Sequence, residues 1–327
     1  MIWYILTFLI SCFILSWLSS RLVKTLVNIA KYLNWREFII AFFVMAFAAS
    51  LPNLFVDINA ALQGMPELAF GDILGGNLVD MTVVMAVAVL FGKSSGMKAK
   101  SRMVQTSAIF TIVVALLPVL LILDGNLNRI DGVILLLSLF IYSFWLFSAE
   151  DRFKKTYSEK KPKDPMMSFK GFLKNILMII VLLLLLLAAS QVVVTSAKYF
   201  SSKLGVSLSL VGLLIVGLGN CFPEAYFSII SARKGQNWLV LGDLMGSVIV
   251  CTTLVLGIIA LIAPFQITDF SPFLIARAFL VLACVLYIVF IRTGEKVTKK
   301  EALVMLSVYI IFLLIEVFFA NNVNAIL

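Results

Sequence analysis

Apolar stretches of about 20 residues, each long enough to cross a bilayer as a helix, recur along this chain between short charged or turn-rich breaks. They fall near residues 2–23, 37–62, 70–91, 104–123, 130–148, 172–197, 207–231, 238–263, 272–291 and 302–320. The pattern predicts an all-α membrane protein with about ten transmembrane helices. Composition agrees: 62% of residues are hydrophobic, 13% are charged and the mean hydropathy is +1.09, far from the profile of a soluble domain. The first stretch lacks a basic start and a small-residue cleavage site, so it reads as the first helix rather than a leader. The one long polar stretch, 149–171, carries mixed charge with Pro162 and Pro165 and reads as a cytoplasmic linker between five-helix units at 1–148 and 172–327.

The net charge of +9 would suit a nucleic-acid partner, but its placement argues against one. Alternate loops hold 22 of the 26 Lys and Arg residues, including Lys93 to Arg102, Arg152 to Lys174 and Arg292 to Lys300. The positive-inside rule makes those loops cytoplasmic, which predicts a multi-pass protein of the plasma (inner) membrane with both termini outside. The basic linker could also touch anionic lipid, against a plainer role as a solvated connector. Cys12, Cys221, Cys251 and Cys284 are scattered with no C-x-x-C, so neither a disulfide framework nor a zinc site is expected. Cys12 and Cys284 read as small buried side chains.

Residues 47–86 and 218–257 align without a gap at an offset of 171, with 11 identities in 40 positions. The identities include Pro52 with Pro223, Gly64 with Gly235, Gly71-Asp72 with Gly242-Asp243 and Gly75 with Gly246. Because each half holds five helices, an odd number, the second copy enters the membrane from the opposite side. Such inverted-topology repeats are the architecture of many secondary transporters, whose substrate site lies at the midplane between the copies.

Each copy has a helix interrupted near a proline, a short turn, then a helix bearing G-D-x-x-G. Proline frees the carbonyl one turn earlier, and a freed carbonyl at membrane depth must line a cavity or find a partner. Ser50 and Asn53 flank the first proline, Asn220 and Glu224 the second. Ionisable residues inside spans usually mark function, which singles out Asp57, one turn beyond Asn53, together with Asp80, which follows Asn77, and Glu224. Asp72 and Asp243 stand near the starts of their helices, where N-capping is a rival role. Glu316 and Arg277 lie near span ends and are expected to snorkel toward the interface. Carboxylates, amides and hydroxyls are hard oxygen ligands suited to Ca²⁺ or Na⁺.

At these residues the sequence resembles the calcium/cation antiporter superfamily, the sodium/calcium exchangers and their relatives. Their two alpha repeats read about G-T-S-x-P-E followed by G-N-x-x-G-S-N-x-x-N or D. The second repeat fits best: Pro223-Glu224 match P-E, Gly242 the first Gly and Gly246-Ser247 the G-S. In the first, Ser50, Pro52 and Asn77 match, Asn53 replaces the glutamate, Ala49 the threonine and Gly76 the serine, and Asp80 takes the last position. Cys251 occupies that last position in the second copy, Asn220 and Cys221 stand for Thr and Ser, and Val248 for Asn. The resemblance implies ion binding among four core helices, through Glu224 and Asp80 with Asn53, Ser50, Asn220, Ser247, Asp57 and Asn77 around them.

The resulting expectation is a secondary active antiporter without a resident cofactor, exchanging Na⁺ for Ca²⁺ by alternating access, with oligomeric state open. The alternatives are H⁺-coupled or monovalent exchange, a softer divalent metal drawn by Cys221 and Cys251, and a degenerate relative that no longer transports. Enzymatic readings are weak. The G-D stretches do not match the G-x-G-D of intramembrane aspartyl proteases, and a chain without histidine cannot carry the usual metalloprotease motif.

Overall fold

The computed structural model describes residues 1–32, 47–48, 50–93, 96–100, 102–153, 169–267 and 271–324. Within them lie helices α1 (Ile2–Tyr32), α2 (Leu51–Leu62), α3 (Pro66–Phe91), α4 (Arg102–Leu121), α5 (Arg129–Phe153), α6 (Phe169–Leu204), α7 (Leu208–Arg233), α8 (Asn237–Ile262), α9 (Ser271–Arg292) and α10 (Lys299–Asn324). Short strands β1 (Gly96–Lys98), β2 (Asn126–Leu127), β3 (Phe265–Gln266) and β4 (Lys296–Thr298) join some of them. Nine of these helices are long and apolar enough to span a membrane, and α2 is a shorter apolar helix. Residues 37–46 of the span expected at 37–62 lie outside the described residues, as do 154–168 of the expected linker, whose ends are helical.

The central segments of the two halves repeat residue for residue. Leu51–Leu62 corresponds to Phe222–Arg233, Pro66–Val79 to Asn237–Val250, and Met85–Phe91 to Leu256–Ile262, all at the offset of 171. Even a π-helical turn recurs, Asp80–Val84 in α3 and Cys251–Val255 in α8. The sequence explains these boundaries locally. Gly64 and Gly235 adopt φ of 74° and 76° and end the preceding helices, with Met65 N donating to Ala60 O and Gln236 N to Ser231 O. At α5, Asn128 Oδ1 accepts from Ile130 N and Asp131 N while Asp131 Oδ2 accepts from Asn128 N. Thr298 and Glu301 exchange the same reciprocal pair at α10, so a capping box opens each half's last helix.

Strand pairing ties the halves together. Met97 of β1 sits opposite Val297 of β4, and Leu127 of β2 opposite Phe265 of β3. The roughly 30 Å length of α4 separates β1 from β2, so the two ribbons lie at opposite ends of the bundle. The basic segments around β1 and β4, with Lys98 and Lys296, thereby share one end.

α3 and α8 form the centre: 83% and 78% of their apolar windows are enclosed, against 22% for α6. Small residues allow this. A Cβ at Gly75 would come within 2.1 Å of the Leu213 carbonyl oxygen, and one at Gly212 within 2.2 Å of that of Leu68, so α3 and α7 touch backbone to backbone. On α6, Leu184, Leu185 and Leu187 instead face outward, toward lipid in a membrane. Glu316 departs from expectation: it is buried rather than snorkelling, because α10 continues to Asn324, about two turns beyond it. Arg277, on α9, is half-buried.

Candidate cation site

The chain breaks its helices where the two halves meet. α7 is interrupted at Cys221 and resumes at Phe222, and the described chain turns at Ser50 before α2 begins at Leu51, so Pro52 and Pro223 each sit in a first helical turn. The carbonyl that Pro52 frees, that of Ala48, accepts from Ser19 Oγ on α1 at 3.3 Å.

From these breaks, four helices send polar groups inward. α2 supplies Asn53 and Asp57, α3 supplies Asp72, Asn77 and Asp80, α7 supplies Asn220 and Glu224, and α8 supplies Asp243 and Ser247; none is more than 7% exposed. Ser50 is also buried, at the turn preceding α2. A cavity of about 10 Å³, room for roughly one water-sized sphere, is lined by Asn53, Asp57, Asp72, Asn77, Asp80 and Cys251, with Ile73 and Gly76. Among the described residues that line it there is no basic side chain.

The structure thus brings Asn53, Asp57, Asn77 and Asp80 of the expected ligands to one cavity. Asn220, Glu224, Ser247 and Ser50 are buried but outside its lining. Asn220 Nδ2 donates to Asp72 Oδ2 at 2.6 Å, and Asn77 Nδ2 to Thr252 Oγ1 at 2.8 Å, each joining one repeat to the other. Asn53 Nδ2 reaches Cys251 Sγ at 3.5 Å, leaving its Oδ1 without a partner. Asp57 faces Asp72, and Asp80 faces Cys221 and Ser247. Both carboxylate oxygens of Asp57 and of Glu224, with Asp80 Oδ1, Asp243 Oδ2 and Ser247 Oγ, are buried without a hydrogen-bond donor or acceptor. Such groups are costly in a dry interior unless an ion, a proton or water meets them.

Among the described residues no three His, Cys, Asp or Glu side chains stand close enough to hold a metal by themselves. Amide, hydroxyl and carbonyl oxygens must therefore complete any ion shell, as the hard-ligand reading expects.

The N-cap role for Asp72 and Asp243 is not what the structure shows. α3 starts at Pro66 and α8 at Asn237, so each Asp is the seventh residue of its helix, beyond reach of the terminal amides, and buried. Their place inside was legible: Asp72, Gly76 and Asp80 are spaced at four and eight residues, as are Asp243, Ser247 and Cys251, which puts each trio on one helical face. Tyr287 on α9 and Tyr309 on α10 were missed as well. Their hydroxyls are buried without partners, within electrostatic range of Asp80 and Cys221 respectively. A tyrosine in an apolar span carries no sequence signal that separates this from ordinary packing.

The sequence model of the family described as sodium/calcium exchanger protein matches residues 3–148 and 174–318. A putative antiporter, CaxA of Alkalimonas amylolytica, is 28% identical over 92% of this chain and 95% of its own. The sodium/calcium exchanger MaX1 of Methanosarcina acetivorans is 23% identical over 91% and 93%. A solved structure of the sodium-calcium exchanger NCX_Mj superposes with a TM-score of 0.66 at 22% identity, covering 95% of this chain and 98% of that one, so the fold is shared. The inverted pair of five-helix repeats, with its polar groups gathered where they meet, belongs to a member of the sodium/calcium exchanger family.

Proposed function

We propose that this protein exchanges Na⁺ for Ca²⁺ across the plasma (inner) membrane, the two ions occupying in turn the cavity lined by α2, α3 and α8. The observation that carries this reading is the set of partnerless oxygens on Asn53, Asp57 and Asp80 around a one-ion cavity without a basic side chain. Asp80 and Asp57 supply charge to the ion and Asn53 Oδ1 a neutral ligand. Glu224 and Ser247, buried beside Asp80, complete the shell when the helices adjust, and Asn220 orients Asp72 through its hydrogen bond.

Exchange follows from competition. One set of ligands that accepts either Ca²⁺ or Na⁺ must release one to take the other, and the sodium/calcium exchanger MaX1 matches this chain over nearly its full length. At a negative membrane potential each net charge moved inward yields about 2.3 kcal/mol per 100 mV, so carrying more Na⁺ charge inward than Ca²⁺ charge outward drives efflux. The basic loops face the cytoplasm in this reading, with both termini outside. Uptake of ⁴⁵Ca²⁺ into Na⁺-loaded proteoliposomes, diluted into Na⁺-free medium, is the test. Flux should rise well above that of empty vesicles and vanish when the Na⁺ gradient is removed. No flux, or flux that follows a pH gradient and ignores Na⁺, overturns the proposal.

A further inference from the structure

We infer that the cavity also binds thiophilic divalent cations, Cd²⁺ being the convenient example, through the Cys251 thiol acting with Asp80 and Asn53. Asp80 and Cys251 are related by the offset of 171, and each is the first residue of a π-helical turn in an otherwise α-helical span. Such turns re-aim side chains and recur at functional sites. Here both lie in the lining of one cavity, so the pseudo-symmetry sets a hard carboxylate on α3 and a soft thiol on α8 around the same space.

The thiol is not merely a small apolar filler. Among the described residues its hydrogen-bond contact is the weak one from Asn53 Nδ2 at 3.5 Å, and several oxygens of the same lining, Asn53 Oδ1, Asp57 Oδ1 and Oδ2, and Asp80 Oδ1, are buried without partners. The remaining cysteines differ. Cys284 Sγ lies 3.8 Å from Met81 Sδ, Cys12 is buried in the apolar core, and Cys221, though beside Asp80, has its Sγ engaged with the Gly76 carbonyl at 3.5 Å and stands outside the lining. A sulfur ligand beside carboxylate and amide oxygens favours soft ions over Ca²⁺, and the bound metal displaces the thiol proton, which leaves with exchange to solvent. The inference rests on this cavity being the cation site of the proposed exchanger, and it makes Cys251 a determinant of ion preference.

The test uses purified full-length protein in detergent, titrated with Cd²⁺ and separately with Ca²⁺. Cd²⁺ should bind at least about tenfold tighter than Ca²⁺ and produce the ultraviolet charge-transfer absorption of a cadmium–thiolate bond. Cys251→Ser should remove that absorption and lower the Cd²⁺-to-Ca²⁺ affinity ratio about tenfold, whereas Cys221→Ser should keep both. If Cys251→Ser does not fold, protection of Cys251 from alkylation by Cd²⁺ in the wild-type protein, mapped by mass spectrometry, replaces it. Absence of the absorption, an unchanged ratio in Cys251→Ser, or its loss in Cys221→Ser overturns the inference. A cadmium–thiolate signal without Na⁺-driven Ca²⁺ flux would sink only the exchange reading; flux without the signal would sink only this one.

Discussion

Glu224 has no charged twin. Asn53 stands at the equivalent position of the first repeat, while Asp57 is matched by Ser228 and Asp80 by Cys251, so the duplicated scaffold carries its charge unevenly. Each of these acids is enclosed, and both oxygens of Glu224 are without a partner. A buried carboxylate in that state costs stability unless its ligand is present. Glu224→Gln should therefore cut Ca²⁺ flux about 100-fold or more, yet raise stability in ion-free detergent by about 1–2 kcal/mol, or about 2–4 °C in a thermal unfolding curve. A loss of both flux and stability would mark Glu224 as structural instead. Asn220 predicts the opposite sign, because it is the donor held by Asp72 at 2.6 Å. Asn220→Leu strands that carboxylate and should destabilise the protein by about 1–3 kcal/mol, read in the same curve.

The contact of α3 with α7 makes neighbouring glycines unequal. Gly75 meets the Leu213 backbone, whereas a Cβ at Gly76 would meet only Cys221 Sγ, at an ordinary 3.7 Å. Gly75→Ser should separate the two helices and lose most folded protein in size-exclusion chromatography. Gly76→Ser, which copies its counterpart Ser247, should remain monodisperse; equal behaviour of the two would contradict backbone contact. At this scale the sequence is informative where symmetry repeats a rare residue. The prolines, Gly64 with Gly235, and the paired Gly-Asp stretches locate the broken helices and their turns. It is silent where geometry depends on partners distant in sequence. Nothing along the chain announces that Asn220 would meet Asp72, or that the helix would begin at Pro66 and carry Asp72 two turns inside. The family pattern likewise drew attention to the acid beside the proline, while the four-residue spacing on α3 and α8, which places Asp72 and Cys251 on the cavity wall, is a weaker signal.

Across the whole molecule, the strand ribbons constrain which parts can move during exchange. β1 with β4 and β2 with β3 each join one repeat to the other at opposite ends, so the halves cannot slide as intact units without breaking both ribbons. α1 and α6 stand outside this clasp. They lie along one another, with Tyr4 stacked on Tyr199 at 3.6 Å and Phe8 edge-on to Phe200 at 5.6 Å, and α6 meets α2 through polar contacts. In those contacts Asn59 Nδ2 donates to Leu187 O at 3.3 Å and to Ser190 Oγ, and Gln63 Nε2 donates to Gln191 Oε1 at 3.1 Å. Side-chain amide contacts, which can exchange partners, suit a surface that slips, and paired strands suit one that does not. A disulfide placed across the ribbon, Met97→Cys with Val297→Cys, should leave Na⁺-driven Ca²⁺ flux within about twofold of the reduced protein. One placed across the slip surface, Gln63→Cys with Gln191→Cys, should arrest flux until a reductant restores it. Arrest by the ribbon bridge and indifference to the α2–α6 bridge would reverse the assignment, making the repeats themselves the moving bodies.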